Sequence, residues 1–548
     1  MLISHNQLKN MKLTSFSLLP FLLVVLISLI GATFADSHRN FLDCFRLRSA
    51  NSSTISKVIY LQNNPSYSSV LNASIQNTRF TTPATPKPLV IVTALQISHI
   101  QSTLYCSRKH GLQIRIRSGG HDFEGLSHVS EVPFLILDLL HFRAVDVDVK
   151  NEVAWVESGA TLGELYYGIA SKTKTLAFPA GVCHTVGIGG HFSGGGYGIL
   201  LRKYGLAADH VIDAQLMDAR GRILDRKSMG EDLFWAIRGG GGNTFGIVLA
   251  WKIKLVQVPA VVTVYTVNRS LEQNMVKILH RWQYIAHQLP DDLITDVTIR
   301  KVNSSGRQAG KKTVQAAFKA FYLGGADKLI PLVQERFPEL GLTKQDCLEM
   351  SWAESVLYFG GVPTQSLEIM LNRTALPRPT FKAKSDYVKQ PIPESGLQGI
   401  MSRFLEKEAD VALMMMVSFG GKMDEIPENE LPYPHRAGNL FQALYLVGWT
   451  NGEDEGKYIS WIRRLYSYMA SYASKSPREA YFNYRDLDIG TNNVGYTSYE
   501  QASVWGLKYF KNNFKRLVQV KTMVDPTNFF GNEQSVPPLP SPWKKKGN

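Results

Sequence analysis

Cysteine is scarce in this 548-residue chain. There are four, Cys44, Cys106, Cys183 and Cys347, too few for a disulfide-dense scaffold, and four cysteines pair in three ways. Beyond the N-terminus no run of apolar residues is long enough to span a bilayer. No Lys/Arg run is interleaved with aromatics, and the one basic cluster is the triplet Lys544, Lys545 and Lys546. The net charge of +14, from 60 basic and 46 acidic residues, is therefore a surface excess, able to steer anions, rather than a nucleic-acid face. There is no G-x-x-x-x-G-K-[ST] phosphate loop and no nicotinamide fingerprint of G-x-G-x-x-G followed by a distant acid. Neither is there a His/Cys cluster at metal-ligand spacing, since His184 and His191 are the only candidates near Cys183. Internal repeats and low-complexity segments are also missing.

What is present begins with "MKLTSFSLLPFLLVVLISLIGATFA", ending at Ala35. A lysine, an apolar run broken by Pro20 and a small-residue end at Thr33 and Ala35 make residues 1–35 a secretory signal, with Met1 and Met11 both available as starts. Secretion predicts an oxidising compartment, apoplastic or vacuolar. Five Asn-X-Ser/Thr sequons, at Asn51, Asn72, Asn268, Asn303 and Asn372, fit glycosylation there.

The length predicts two or three lobes. Over residues 87–258 short β-branched runs such as "PLVIVTA" and "PFLILDL" alternate with helical spacing, as in "ISHIQSTLYCSRKHG", which ends on the C-cap candidate Gly111. From Pro259 to about 480, longer amphipathic helices accompany alternating strands, "TVYTVN", "TVQAAFKAFYLG", "VALMMMVSFGGKM" and "NLFQALYLVGW". That pattern suits an antiparallel sheet backed by helices. Residues 481–548 form a compact aromatic final segment. The class is α+β.

Two glycine-dense stretches carry the chemistry, "RIRSGGHDFEGLS" and "GVCHTVGIGGHFSGGGYG". Bare amides suit a phosphate or dinucleotide lying against the backbone. Each stretch places one reactive side chain beside its glycines, His121 in the first and Cys183 in the second. These are the residue types that bond covalently to a flavin ring.

With "TPKPLVIVT", "DRKSMGEDLFWAIRGGGG", "PHRAG", "NYRDLD" and "DPTNFF", these motifs resemble the berberine-bridge-enzyme-like branch of the vanillyl-alcohol-oxidase flavoproteins from near Cys44 to the C-terminus. Within it they are most similar to the plant cannabinoid-acid synthases. The resemblance implies a two-lobed fold with a PCMH-type FAD-binding domain (36–258), a substrate domain (259–480) and a C-terminal segment (481–548) completing the first. It implies FAD held twice, by His121 at the 8α-methyl and by Cys183 at C6. The cofactor would lie along Arg117, Ser118, Gly119, Gly120, Ser127, Gly187, Gly190, His191, Gly194, Tyr197, Gly246, Ile247, Asn483 and Tyr484, with His191 near N1 and the C2 carbonyl. With Cys183 so engaged, the bridge expected is Cys44–Cys106.

For catalysis the resemblance implies Tyr484 as base, Tyr197 nearby, and Val186 on the side where O₂ reacts. The substrate wall departs from the synthases: Gln442 stands for their glutamate, Thr298 for a histidine and Val417 for a tyrosine. A glutamine orients a phenol but does not deprotonate it. The expectation is a monomeric, secreted oxidase that takes hydride from a specialised-metabolite phenol, prenylated phenols included, and reduces O₂ to H₂O₂, with ring closure as one outcome. A sugar or monolignol oxidase, a pericyclase using FAD without net redox, and a non-enzymatic storage protein are the alternatives.

Overall fold

A computed structural model of the chain describes residues 39–49, 52–304, 310–363, 365–374 and 376–540. The signal segment, Asn51 and the terminal lysines lie outside these residues. Among the described residues no helix is long and apolar enough to cross a membrane. The described sequons, Asn72, Asn268, Asn303 and Asn372, are all exposed.

The first lobe holds two main sheets and a two-stranded one, Leu176–Ala177 with Val256–Gln257. One main sheet orders Ile59–Leu61, Val90–Thr93, Phe134–Asp138 and Gln113–Arg117, with the last three strands parallel. Burial on both faces explains the apolar runs of Val90–Thr93 and Phe134–Asp138, while Gln113–Arg117 alternates arginine with isoleucine. Helix Ile97–Lys109 makes the crossover between two of them, and Gly111 follows it at φ +67°. Cys44 and Cys106 form a disulfide with Cα atoms 5.8 Å apart, tying the helix at 39–48 to this crossover. The other main sheet is antiparallel, Val145–Asp148, Val153–Glu157, Ile247–Lys254, Val211–Met217 and Ile223–Leu224.

The second lobe is one seven-stranded antiparallel sheet, ordered Cys347–Met350, Val262–Ser270, Lys312–Tyr322, Leu293–Asn303, Ala412–Ser418, Phe441–Trp449 and Thr380–Val388. Period-2 alternation gives it two unlike faces. Val297, Ile299, Met414, Met416, Ala443 and Tyr445 share a core with Leu279, Trp282, Leu329, Ile400 and Leu465 of the helices behind. The alternate residues, Ile294, Asp296, Met415, Val417 and Leu444, face the first lobe and line a cavity.

Thr380–Val388 is buried along its whole length although it carries Lys382, Lys384 and Asp386. Lys382 pairs with Glu124 and with Asp486 (2.8 Å), Lys384 with Asp486 (2.7 Å) and Asp488 (2.8 Å), and Asp386 with Arg478 (2.6 Å). These pairs fasten the 483–488 segment between the lobes, and removing one partner would strand a buried charge.

Candidate functional site

One cavity of about 520 Å³ runs from the first-lobe loops to the inner face of the seven-stranded sheet. Its floor is built where the glycine-dense segments meet. A Cβ on Gly119 would lie 2.4 Å from Gly187 N, and one on Gly187 would lie 2.2 Å from Ser118 Oγ, so no side chain fits at either. Gly190 is the reverse case: it lines the cavity, and a Cβ there would meet nothing within 4 Å. Its bare backbone faces open space, as a flat cofactor laid on the chain requires. Ser118 Oγ donates to Ser158 O at 2.6 Å and holds the first loop in place.

His121 and Cys183 converge on one hydroxyl. Thr185 Oγ1 lies 3.0 Å from His121 Nε2 and 3.6 Å from Cys183 Sγ. Burial pushes this imidazole down to about 4, so it is neutral and nucleophilic at pH 7. Burial pushes the Cys183 thiol up. His191 is likewise held down to about 4 by burial and by His121. Its Nε2 accepts from the Gly181 N–H at 3.0 Å, which leaves the proton on Nδ1 as a donor. The residues present fit a flavin-binding site: a histidine and a cysteine side by side, a bare backbone floor and a neutral imidazole donor.

Tyr197 and Tyr484 share a short hydroxyl–hydroxyl hydrogen bond. Burial pushes Tyr484 up to about 12, against the opposing influence of the Tyr197 hydroxyl. Phe123 stacks on Tyr484 with centroids 5.2 Å apart. Asn483 Nδ2 donates to His191 O and to Tyr481 Oη, both at 2.9 Å, and Gly194 is the bare surface on which Asn483 rests. Arg485, next to Tyr484 in sequence, also lines the cavity and donates from Nε to Asp122 at 2.7 Å. Val186 lines the cavity one turn from Cys183, its N–H donating to Cys183 O at 3.1 Å.

Of the residues singled out from sequence, Ser118, Gly119, Gly120, His121, Ser127, Cys183, Val186, Gly187, Gly190, His191, Tyr197, Asn483 and Tyr484 line this one cavity. Arg117, Gly246 and Ile247 stand off it. Arg117 is fully buried, bonded to Asp138 (2.6 Å) and to the carbonyls of Leu71 (2.8 Å) and Val70 (2.9 Å). A Cβ on Gly246 would lie 2.7 Å from Met217 O, and Ile247 belongs to the first-lobe core. Gln442 is buried on the cavity-facing side of its strand, and neither amide atom has a partner among the described residues. Thr298 shares that face with Asp296 and is buried. Sequence reading missed Thr185, though it lies in the quoted motif, and missed Asp296 and Lys319, two opposite charges on the sheet wall.

A family model described as an FAD binding domain matches residues 88–226, and one described as berberine and berberine like matches residues 480–537. The chain is 50% identical over 530 residues to a tetrahydroberberine oxidase of Berberis wilsoniae, covering 96% of this chain and 98% of that protein. It is 49% identical to cannabidiolic acid synthase-like 1 of Cannabis sativa, over 93% and 95% of the two chains. Among solved structures, Phl p 4.0202, described as a glucose dehydrogenase, superposes with a TM-score of 0.85 at 44% identity, over 91% of this chain and 100% of that one. An isoleucine-to-valine variant of the same grass-pollen allergen is described as a glucose oxidase.

Proposed function

Because this chain belongs to the berberine-bridge-enzyme-like family of FAD-linked oxidoreductases, we propose that it is a secreted oxidase of a phenolic metabolite, built on FAD held by both His121 and Cys183. The observation that carries the reading is the meeting of His121 and Cys183 at Thr185, in the same cavity as the Tyr197–Tyr484 pair. When bound, FAD supplies the hydride acceptor and the means of passing electrons to O₂.

The chain's own residues do the rest. His121 and Cys183 fix the cofactor, and His191 presents a neutral donor where charge collects. Tyr484 is a neutral phenol at rest. Once it loses its proton, Tyr197 donates to the resulting oxygen anion, so the two hydroxyls act as one base. Gln442 orients a substrate oxygen and carries no proton away. Val186 is small beside Cys183, leaving room for O₂.

The name of the grass-pollen neighbour favours a second reading, oxidation of a sugar hydroxyl. The test for both is anaerobic mixing of the purified yellow protein with phenols and with sugars. Bleaching by phenols supports the first reading. Bleaching by sugars alone supports the second. Turnover without bleaching overturns both in favour of a cycloaddition.

A further inference from the structure

Asp296 and Lys319 are direct cross-strand partners on Leu293–Asn303 and Lys312–Tyr322, so they point to the same face with Cβ atoms about 5 Å apart. The register continues along one line. Asp296 stands opposite Val417, and Val417 opposite Gln442. Gln442, Val417, Asp296 and Lys319 thus form a row across four neighbouring strands. With a strand spacing of about 4.8 Å, Gln442 and Asp296 are about 10 Å apart. Val417, Asp296 and Lys319 all line the cavity.

The row holds two polar groups that nothing among the described residues satisfies. Gln442 is 1% exposed, with both amide atoms unpartnered. Asp296 Oδ1 is buried and has no hydrogen-bond partner. Burial raises the Asp296 carboxyl to about 6, and Lys319 acts on it through its charge alone. If the two charges served only to cancel one another, a closed ion pair would be the stable arrangement. Instead each is left with bonding capacity toward the cavity, and a buried acceptor without a partner is costly unless something outside the chain completes it.

We infer that Asp296 and Lys319 form a recognition subsite for a neutral substrate group that donates one hydrogen bond and accepts another: adjacent hydroxyls, or a hydroxyl beside an ether oxygen, on a ring. The inference rests on the oxidase reading and narrows its substrate. The carboxylate accepts and the ammonium donates. A free cation is disfavoured by Lys319 and a free carboxylate by Asp296. The subsite stands off from the reacting end, because Tyr484 packs against the cluster that holds Leu444, two residues along its strand from Gln442 and two strands from Asp296. Asp296 and Lys319 therefore act on binding and orientation, not on the proton that leaves.

The experiment compares a 4-substituted catechol with the matching 4-substituted phenol, titrated anaerobically into the holoenzyme. Flavin spectral perturbation gives the dissociation constant, and bleaching gives the limiting rate. The unmutated enzyme should bind the catechol about tenfold or more tightly, the scale of a satisfied hydrogen-bonding group. Asp296→Asn and Lys319→Met should each erase that preference, with the loss falling on the dissociation constant more than on the limiting rate. Lys319→Arg should restore part of it, which separates recognition from misfolding. Equal binding of the two compounds by the unmutated enzyme would overturn the subsite, as would variants that keep the preference, or tighter binding of a protonated amine analogue. A catechol preference in the spectral titration without bleaching would uphold the subsite while the phenol-oxidase reading fails.

Discussion

Arg485 Nε donates to Asp122 across 2.7 Å, and the cation beside Tyr484 in sequence is not among the groups that shift the tyrosine. The pair joins two loops, one carrying His121 and the other Tyr484. The next residues repeat the pattern: Phe123 stacks on Tyr484, and Glu124 and Asp486 share Lys382. Three consecutive residues of the tether loop thus grip three of the tyrosine loop. Asp122→Asn, which loses a charge-assisted bond, should slow substrate-driven bleaching about tenfold or more through misplacement of Tyr484. Covalent flavin should remain. An unchanged bleaching rate would show that the loop holds its position without the pair.

The pH dependence follows from Tyr484 being pushed up to about 12. A raised pKa on a phenol means that the ionised form is rare at neutral pH and grows about tenfold per pH unit. If the pair is the base, anaerobic bleaching should rise with pH from 7.5 to 10 with a log–log slope near one. Tyr197→Phe removes the hydroxyl that stabilises the anion and should lower the rate at every pH with the same slope. Tyr484→Phe should cost about 10²-fold and abolish the slope. A flat profile in the unmutated enzyme would place the base elsewhere.

Thr185 touches both tethers. Thr185→Val keeps the shape and removes the hydroxyl. Apoprotein of this variant incubated with FAD should acquire acid-stable flavin more slowly, at an unchanged final stoichiometry. The time course is followed by absorbance of the washed, denatured pellet. Identical time courses would reduce Thr185 to packing.

Val186 tests the oxidative half. Val186→Leu adds one methylene beside Cys183, and re-oxidation of photoreduced protein by oxygenated buffer should slow by orders of magnitude. Anaerobic bleaching should hold. Equal re-oxidation rates by stopped flow would remove Val186 from the path of O₂.

The two lobes were legible because alternating apolar runs and glycine density are local signals, whereas the Cys44–Cys106 pair and the residues of the cavity floor followed from the family resemblance, cysteine usage alone leaving three pairings open. The strand Thr380–Val388 could not. Lys382, Lys384 and Asp386 argue for a surface segment until Glu124, Asp486, Asp488 and Arg478 arrive from elsewhere to neutralise them. Asp296 and Lys319 were invisible for a related reason: their meaning lies in a register shared by four strands, which no single stretch displays. Arg117 shows the opposite failure. A motif arginine beside the glycines suggests a cofactor contact, yet its side chain is used up on Asp138, Val70 and Leu71.

The central claim is that two side chains hold one flavin. Acid-precipitating the purified protein, washing the pellet and reading its visible spectrum tests this most directly, with the His121→Ala and Cys183→Ala variants and the double variant alongside. The pellet should stay yellow in the unmutated protein and in each single variant, and should turn colourless only in the double variant, whose FAD passes to the supernatant. Free FAD in the supernatant of the unmutated protein would contradict the account.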